Sequence, residues 1–199
     1  MTTALTRAVE LLERSLGYTR VILAGVPGAD LDRRTPCRDW NLGQLLAHMD
    51  DGLDAFTEAA GGAVAVPARG WSPLRVERLQ EKACALLGAW SGRRPEGVDV
   101  GGAVIQSDLL VLTAALEITV HGWDVGQALG SAPRIPQELA VQLLPVAGQM
   151  VDEVDRGSGS ARRTRCWRSR RLTSGYWPFW AVPDWSTGLF PADCPPRTP

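Results

Sequence analysis

Asp108-Leu-Leu-Val-Leu-Thr-Ala-Ala-Leu-Glu-Ile-Thr-Val-His-Gly-Trp-Asp124 is the most apolar run of the chain, and it carries a carboxylate and an imidazole four residues apart, Glu117 and His121. Wound as an α-helix, Leu110, Thr113, Ala114, Glu117, His121 and Asp124 fall in one arc of about 100°. The other faces are Leu, Val, Ile and Ala, so the helix reads as central to a bundle. A carboxylate there is costly unless it is paired or metal-bound. Residues i and i+4 lie about 40° apart around the helix axis and about 6 Å apart along it. At that spacing a carboxylate and an imidazole can hold one divalent ion. An isolated pair of this kind is more often a glutamate meeting an arginine beside a satisfied core histidine.

Working outward, the flanking segments also read as helices. Residues 3–24 repeat Leu5, Val9, Leu12, Leu16 and Leu23 at helical spacing, with Gly25 as a stop. Residues 26–40 form a loop, and Asn41 with Gln44 makes a capping-box pair for a helix to about Ala60. The apolar stripe of that helix is Leu42, Leu45, Leu46, Met49, Leu53 and Phe56, with His48 at its margin. A third helix is expected over about 73–90, flanked by Gly/Pro-rich loops at 61–70 and 91–106. Ser107 is expected to cap the fourth helix, which ends at Gly130. Pro136 opens a fifth, to about Asp152, bent by Pro145. No strand pattern competes in residues 1–155, so the fold class is all-α, a helical bundle.

Composition narrows the function. At 199 residues the chain is one domain with an appendage. Glu117 breaks the best membrane-span candidate, and the N-terminus has no apolar signal core, so a cytoplasmic protein is expected. Cys37, Cys84, Cys166 and Cys194 are widely spaced, which argues for reduced thiols over a zinc cluster or a disulfide framework. Twenty Arg stand against one Lys, Lys82, the mark of a GC-rich genome. There are only two histidines, His48 and His121, and both fall toward the interior sides of their helices. His48, Glu117 and His121 together would make a three-donor site for zinc, nickel, copper or iron with a coordination position open. Asp124 is either an acceptor for an imidazole N–H or water-mediated ligand, or an acceptor for Trp123 or a loop. Trp40 and Trp123 are packing aromatics that could also wall a pocket, and Cys37 reads as a buried structural thiol.

Two motifs then point to a family. Thr35-Pro36-Cys37-Arg38-Asp39-Trp40-Asn41-Leu42-Gly43-Gln44-Leu45-Leu46-Ala47-His48 resembles the TPC-x-x-W-x-x-x-x-LL-x-H opening of the DinB-like, mycothiol-dependent maleylpyruvate isomerase N-terminal domain group. Glu117-Ile-Thr-Val-His-Gly-Trp-Asp124 resembles that group's E-x-x-x-HGWD signature. The resemblance covers roughly residues 5–159. It implies a DinB/YfiT-like four-helix bundle with an extra C-terminal helix and a divalent metal on His48, Glu117 and His121. It also implies actinobacterial relatives, some of them thiol S-transferases that use a low-molecular-weight thiol such as mycothiol. The isomerase carries an additional C-terminal domain that supplies part of its active site, and no stretch here resembles it. The expectation is therefore a metal-dependent enzyme of transferase or isomerase chemistry acting on a small-molecule substrate with a thiol, as monomer or homodimer. The competing reading is a non-catalytic metal- or ligand-binding bundle.

The two ends of the chain differ in charge. Residues 1–155 carry 13 basic and 20 acidic side chains, and residues 156–199 carry 8 Arg and 2 Asp. The expected division is a metal-binding bundle over 1–159 and a disordered tail over 160–199 rich in Arg, Trp and Pro. A basic, aromatic tail suits nucleic acid, but the genetic code favours another origin. Read from the third base of each codon, Gly175–Val182 can spell Leu-Leu-Ala-Leu-Leu-Gly-Arg, which resembles the usual ending in this family. The tail reads as a frameshift beginning near Ser160, with nucleic-acid binding the lesser alternative.

Overall fold

The chain folds, in a computed structural model that describes residues 3–37, 40–64, 76–92, 94–131 and 133–150, around five helices. These are α1 (Thr3–Leu23), α2 (Leu42–Ala59), α3 (Val76–Trp90), α4 (Ser107–Leu129) and α5 (Gln137–Met150). The expected tail at 160–199 and the start expected for the third helix at 73 lie outside the described residues.

Local chemistry accounts for the helix ends. The Asn41 side chain accepts from the Gln44 N–H at 2.9 Å, and the Gln44 side chain accepts from the Asn41 N–H at 3.0 Å. Both directions of the capping box are therefore made. Gly130 closes α4 in the left-handed conformation, φ 74°, which a residue without Cβ adopts at no steric cost. One terminal expectation is corrected and one is met. Ser107 is the first residue of α4 and not its cap; its hydroxyl instead donates to the Pro95 carbonyl at 2.7 Å. Pro136 precedes α5, and its carbonyl accepts from Ala140 at 3.0 Å.

The all-α expectation holds for the bundle but misses a small sheet. Strands β1 (Ala63–Val64), β2 (Gly97–Val100) and β3 (Ala103–Gln106) lie in that order, β1 parallel to β2 and β2 antiparallel to β3. The hairpin turns on Gly101 and Gly102, at φ 62° and 87°, the double positive φ of a tight two-residue hairpin. Gly97 sits where an added Cβ would meet Val104 at 2.7 Å. Both segments had read as loops because strands this short carry almost no alternation.

The core follows the helical stripes. Leu12, Leu42, Leu45, Leu46, Leu79, Leu86, Trp90, Val98, Val111 and Val125 are fully buried. Trp90 satisfies its indole N–H on the Phe56 carbonyl at 2.9 Å, tying α3 to α2. α4 is apolar and long enough to cross a membrane by composition, yet it is the helix the others cover, two-thirds buried over its most apolar window. α1 lies along it most closely. The Thr19 hydroxyl donates to the Ile118 carbonyl at 2.7 Å, and a Cβ on Gly122 would run into the Thr19 side chain. Gly122 is thus a contact residue between helices, which explains in packing terms the glycine after His121.

Candidate metal centre

Three side chains converge from α2 and α4. Glu117 and His121 lie one turn apart on α4, and His121 Nε2 stands 3.0 Å from Glu117 Oε2. His48, from the margin of the α2 stripe, brings its Nε2 to 3.5 Å from the same oxygen. One ligand atom from each lies within 4.8 Å of the others. The imidazole rings meet edge to face with centroids 4.9 Å apart. The structure thus brings together all three residues that the sequence singled out.

Electrostatics bind the cluster. Burial alone would raise the Glu117 carboxyl, but the charge of His121 and hydrogen bonds from His121 and His48 outweigh it and hold the group at about 2. Burial alone would lower His121. The Glu117 carboxylate and hydrogen bonds to Asp124, Cys37 and Glu117 instead raise it well above 6.5. The cause is geometric: Nε2 faces Glu117, and Nδ1 lies 3.2 Å from Asp124 Oδ2. An ionised carboxylate only accepts, so Nδ1 carries a proton toward Asp124 and the ring is fixed in orientation. Asp124 meets both the imidazole of His121 and, through the Cys37 thiol, the loop before α2. Asp124 is buried at 4% exposure, and its charge, after burial, pushes Tyr18 up to about 12.

The loop before α2 adds two further side chains, and the contact of one of them, Cys37, with Asp124 is not foreseen from the sequence. The Thr35 hydroxyl lies 2.9 Å from the Cys37 carbonyl and 2.8 Å from the Trp40 carbonyl, and the Trp40 N–H donates to Cys37 at 2.9 Å. This knot places two side chains at the site. Trp40 stacks obliquely on His48, centroids 4.7 Å apart, and lies 6.2 Å from His121. The Cys37 thiol donates to Asp124 Oδ2 at 3.4 Å. Cys37, expected as a buried structural thiol with a catalytic role open, is half-buried beside the imidazole partner. Its place just ahead of Trp40 and His48 was the available signal. Trp40 walls the site; Trp123 is not among the described residues that line the adjoining cavity.

That cavity, about 760 Å³, opens from the cluster between α1, α2, α3 and α4. His48, Glu117 and His121 form its polar end. With donor–metal bonds of about 2.0–2.1 Å, adjacent donors on a tetrahedral ion stand roughly 3.3 Å apart. The observed 3.0 and 3.5 Å bracket that value, and two imidazoles with a carboxylate are a donor set suited to zinc, nickel or iron. The residues present fit a divalent ion.

Comparison with known proteins agrees with the motifs. The profile of the mycothiol maleylpyruvate isomerase N-terminal domain matches residues 12–126, a span that includes all three donors. Similar proteins include two uncharacterized proteins of Mycobacterium tuberculosis, from strains CDC 1551 and H37Rv. Each is 24% identical over 147 residues, covering 74% of this chain and 81% of the relative. No solved structure matches.

Proposed function

The chain belongs to the mycothiol maleylpyruvate isomerase N-terminal domain family, and from that premise we propose that it is a divalent-metal enzyme that joins a low-molecular-weight thiol of the mycothiol type to a small-molecule substrate. The observation that carries this reading is the convergence of His48 Nε2, Glu117 Oε2 and His121 Nε2 within 4.8 Å at the end of a cavity. Those three residues would hold the ion, zinc first, with nickel or iron as alternatives. A divalent ion with an open position lowers the pKa of a thiol and so supplies a thiolate nucleophile at neutral pH.

The chain's own side chains set the conditions for this. Glu117 stays ionised across the physiological range and offers a charged oxygen. Asp124 takes the Nδ1 proton of His121, which leaves Nε2 turned to the site. The Cys37 thiol donates to the same Asp124 oxygen that faces His121 and helps to restrain it. Trp40 packs against His48 and lies beside His121, outside the cavity lining. The substrate and the thiol then reach the cluster from the cavity. Isomerase or S-transferase chemistry both fit this arrangement, in a cytoplasmic protein.

Elemental mass spectrometry of the purified protein tests the reading. About one equivalent of zinc, nickel or iron is expected, lost in His121→Ala, because a three-ligand site does not survive as two. Turnover of a thiol with an electrophile by the loaded protein would establish the enzyme. Absence of metal after reconstitution of a folded protein would reduce Glu117 and His121 to a core ion pair.

A further inference from the structure

The cavity beside the donor cluster is more than an entry path. Its described walls are mostly apolar: Leu16, Met49, Leu53, Phe56, Leu87 and Ile118 face it from four helices. Outside the donor cluster, the charged side chains among the described lining residues are Glu13, Arg20 and Glu81, all three exposed, so their heads remain in water at the rim. Thr19 also lines it, but its hydroxyl is already committed to the Ile118 carbonyl. Apart from the half-buried Gln80, the polar interior is therefore the donor cluster.

Two glycines keep the space open. Gly17 lies inside α1 and Gly52 inside α2, and both border the cavity. A glycine in a helix interior costs about 0.5–1 kcal/mol relative to alanine. No protein atom requires either: a Cβ built on Gly17 or on Gly52 meets nothing within 4 Å. Gly17 is exposed and Gly52 half-buried, so a side chain added at either stands at the wall of the cavity. Leu16 and Leu87 belong to the apolar stripes of α1 and α3 but are only half-buried, because they face this space. A volume of about 760 Å³ falls within the range of roughly 300–1,000 Å³ typical of small-molecule sites.

We propose that the cavity is the binding site for a neutral, hydrophobic small molecule, an alkyl or aryl compound whose reactive end lies at His48, Glu117 and His121 while its apolar body fills the space beside Gly17 and Gly52. This rests on the proposed function for the role of the reactive end, and it defines the substrate class: the walls hold no buried counter-charge, so an anionic or cationic body is refused by the cost of desolvating it. The thiol partner, which is polar, approaches from the rim.

Fluorescence titration of the full chain with N-phenyl-naphthylamine, a neutral aromatic probe, tests this against anilinonaphthalene sulfonate, which has the same ring skeleton with a charge. The neutral probe should bind, and the sulfonate more weakly by roughly tenfold or more. Gly17→Leu and Gly52→Leu should each weaken the neutral probe by a similar factor while metal content and thermal stability are kept. Gly88→Leu, an α3 glycine that likewise meets nothing within 4 Å but does not line the cavity, should bind the probe as the parent does. His48→Ala should lose metal yet still bind the probe, so that failure of the metal reading and failure of the cavity reading are told apart. Equal binding of the two probes, or unchanged binding in both cavity-filling variants with their folds intact by circular dichroism, would overturn the proposal.

Discussion

Two sides of α4 use glycine for opposite reasons. On the side facing α1, Gly122 is pressed against Thr19 so closely that a Cβ would strike the threonine side chain, its Cγ2 at 2.9 Å and its Oγ1 closer still. On the side facing the cavity, Gly17 and Gly52 look into empty space. The first glycine lets two helices approach, which buries apolar surface and brings the Thr19 hydroxyl to the Ile118 carbonyl. The others hold two helices apart from what would otherwise fill the gap. One region of the bundle is packed to interior density and the other is left hollow, with the donor cluster at the boundary.

Alanine substitution separates the two regions most sharply. Gly122→Ala should destabilise by about 1–3 kcal/mol, the usual cost of forcing atoms into a filled contact, read as a lowered denaturation midpoint. If Gly122→Ala is neutral, the seam is looser than the contact distances state. Removing the obstacle should restore part of the loss: Thr19→Ala in the Gly122→Ala background deletes both the methyl at 2.9 Å and the closer hydroxyl, and the double variant should recover roughly 1 kcal/mol of the clash relative to the sum of the single changes.

The donor cluster at the hollow side should respond to pH in both directions. The Glu117 carboxyl, held at about 2 against 4.5 in the unfolded chain, contributes stability that is present above about 4.5 and lost as pH falls toward 2. His121, raised well above 6.5, contributes stability that is fully present below 6.5 and lost as pH rises through its folded value. Metal-stripped protein should therefore be most stable between these limits and weaken on the alkaline side. His121→Asn should flatten that alkaline loss, and urea midpoints across pH check it. Metal-loaded protein should not show it, because a ligating imidazole is already neutral. The smallest effect is expected at Gly17→Ala: a gain of about 0.5–1 kcal/mol from helix propensity with no clash to offset it, opposite in sign to Gly122→Ala.

The sequence reading recovered the helices because periodicity and capping are local. The α2 stripe of Leu42, Leu45, Leu46, Met49, Leu53 and Phe56 is buried throughout, and the Asn41–Gln44 box is made as read. It failed where a feature is short or where one atom group has two candidate partners. Strands of two to four residues hold too few alternations to outvote Gly and Pro. Ser107 has a side chain suited to capping, but the neighbouring Pro95 carbonyl took its hydroxyl. The candidate donors lie between these cases. Glu117 and His121 meet by helix geometry alone, whereas His48 is a candidate through its place at the margin of the α2 stripe and the family motif, and only the packing of α2 on α4 brings it to them.

What the sequence alone determined is whatever reaches across one or two helical turns: five amphipathic or apolar segments, their caps, and a carboxylate one turn from an imidazole. Only the tertiary structure decided that Cys37 lies 3.4 Å from Asp124, that Gly122 is a contact and Gly17 a vacancy, and that the half-buried Leu16 and Leu87 face a cavity. The physical reason is range. Side-chain pattern fixes which face of a helix is apolar, but the distance between two apolar faces depends on every residue at the crossing, and a hollow is the absence of atoms that no single segment encodes.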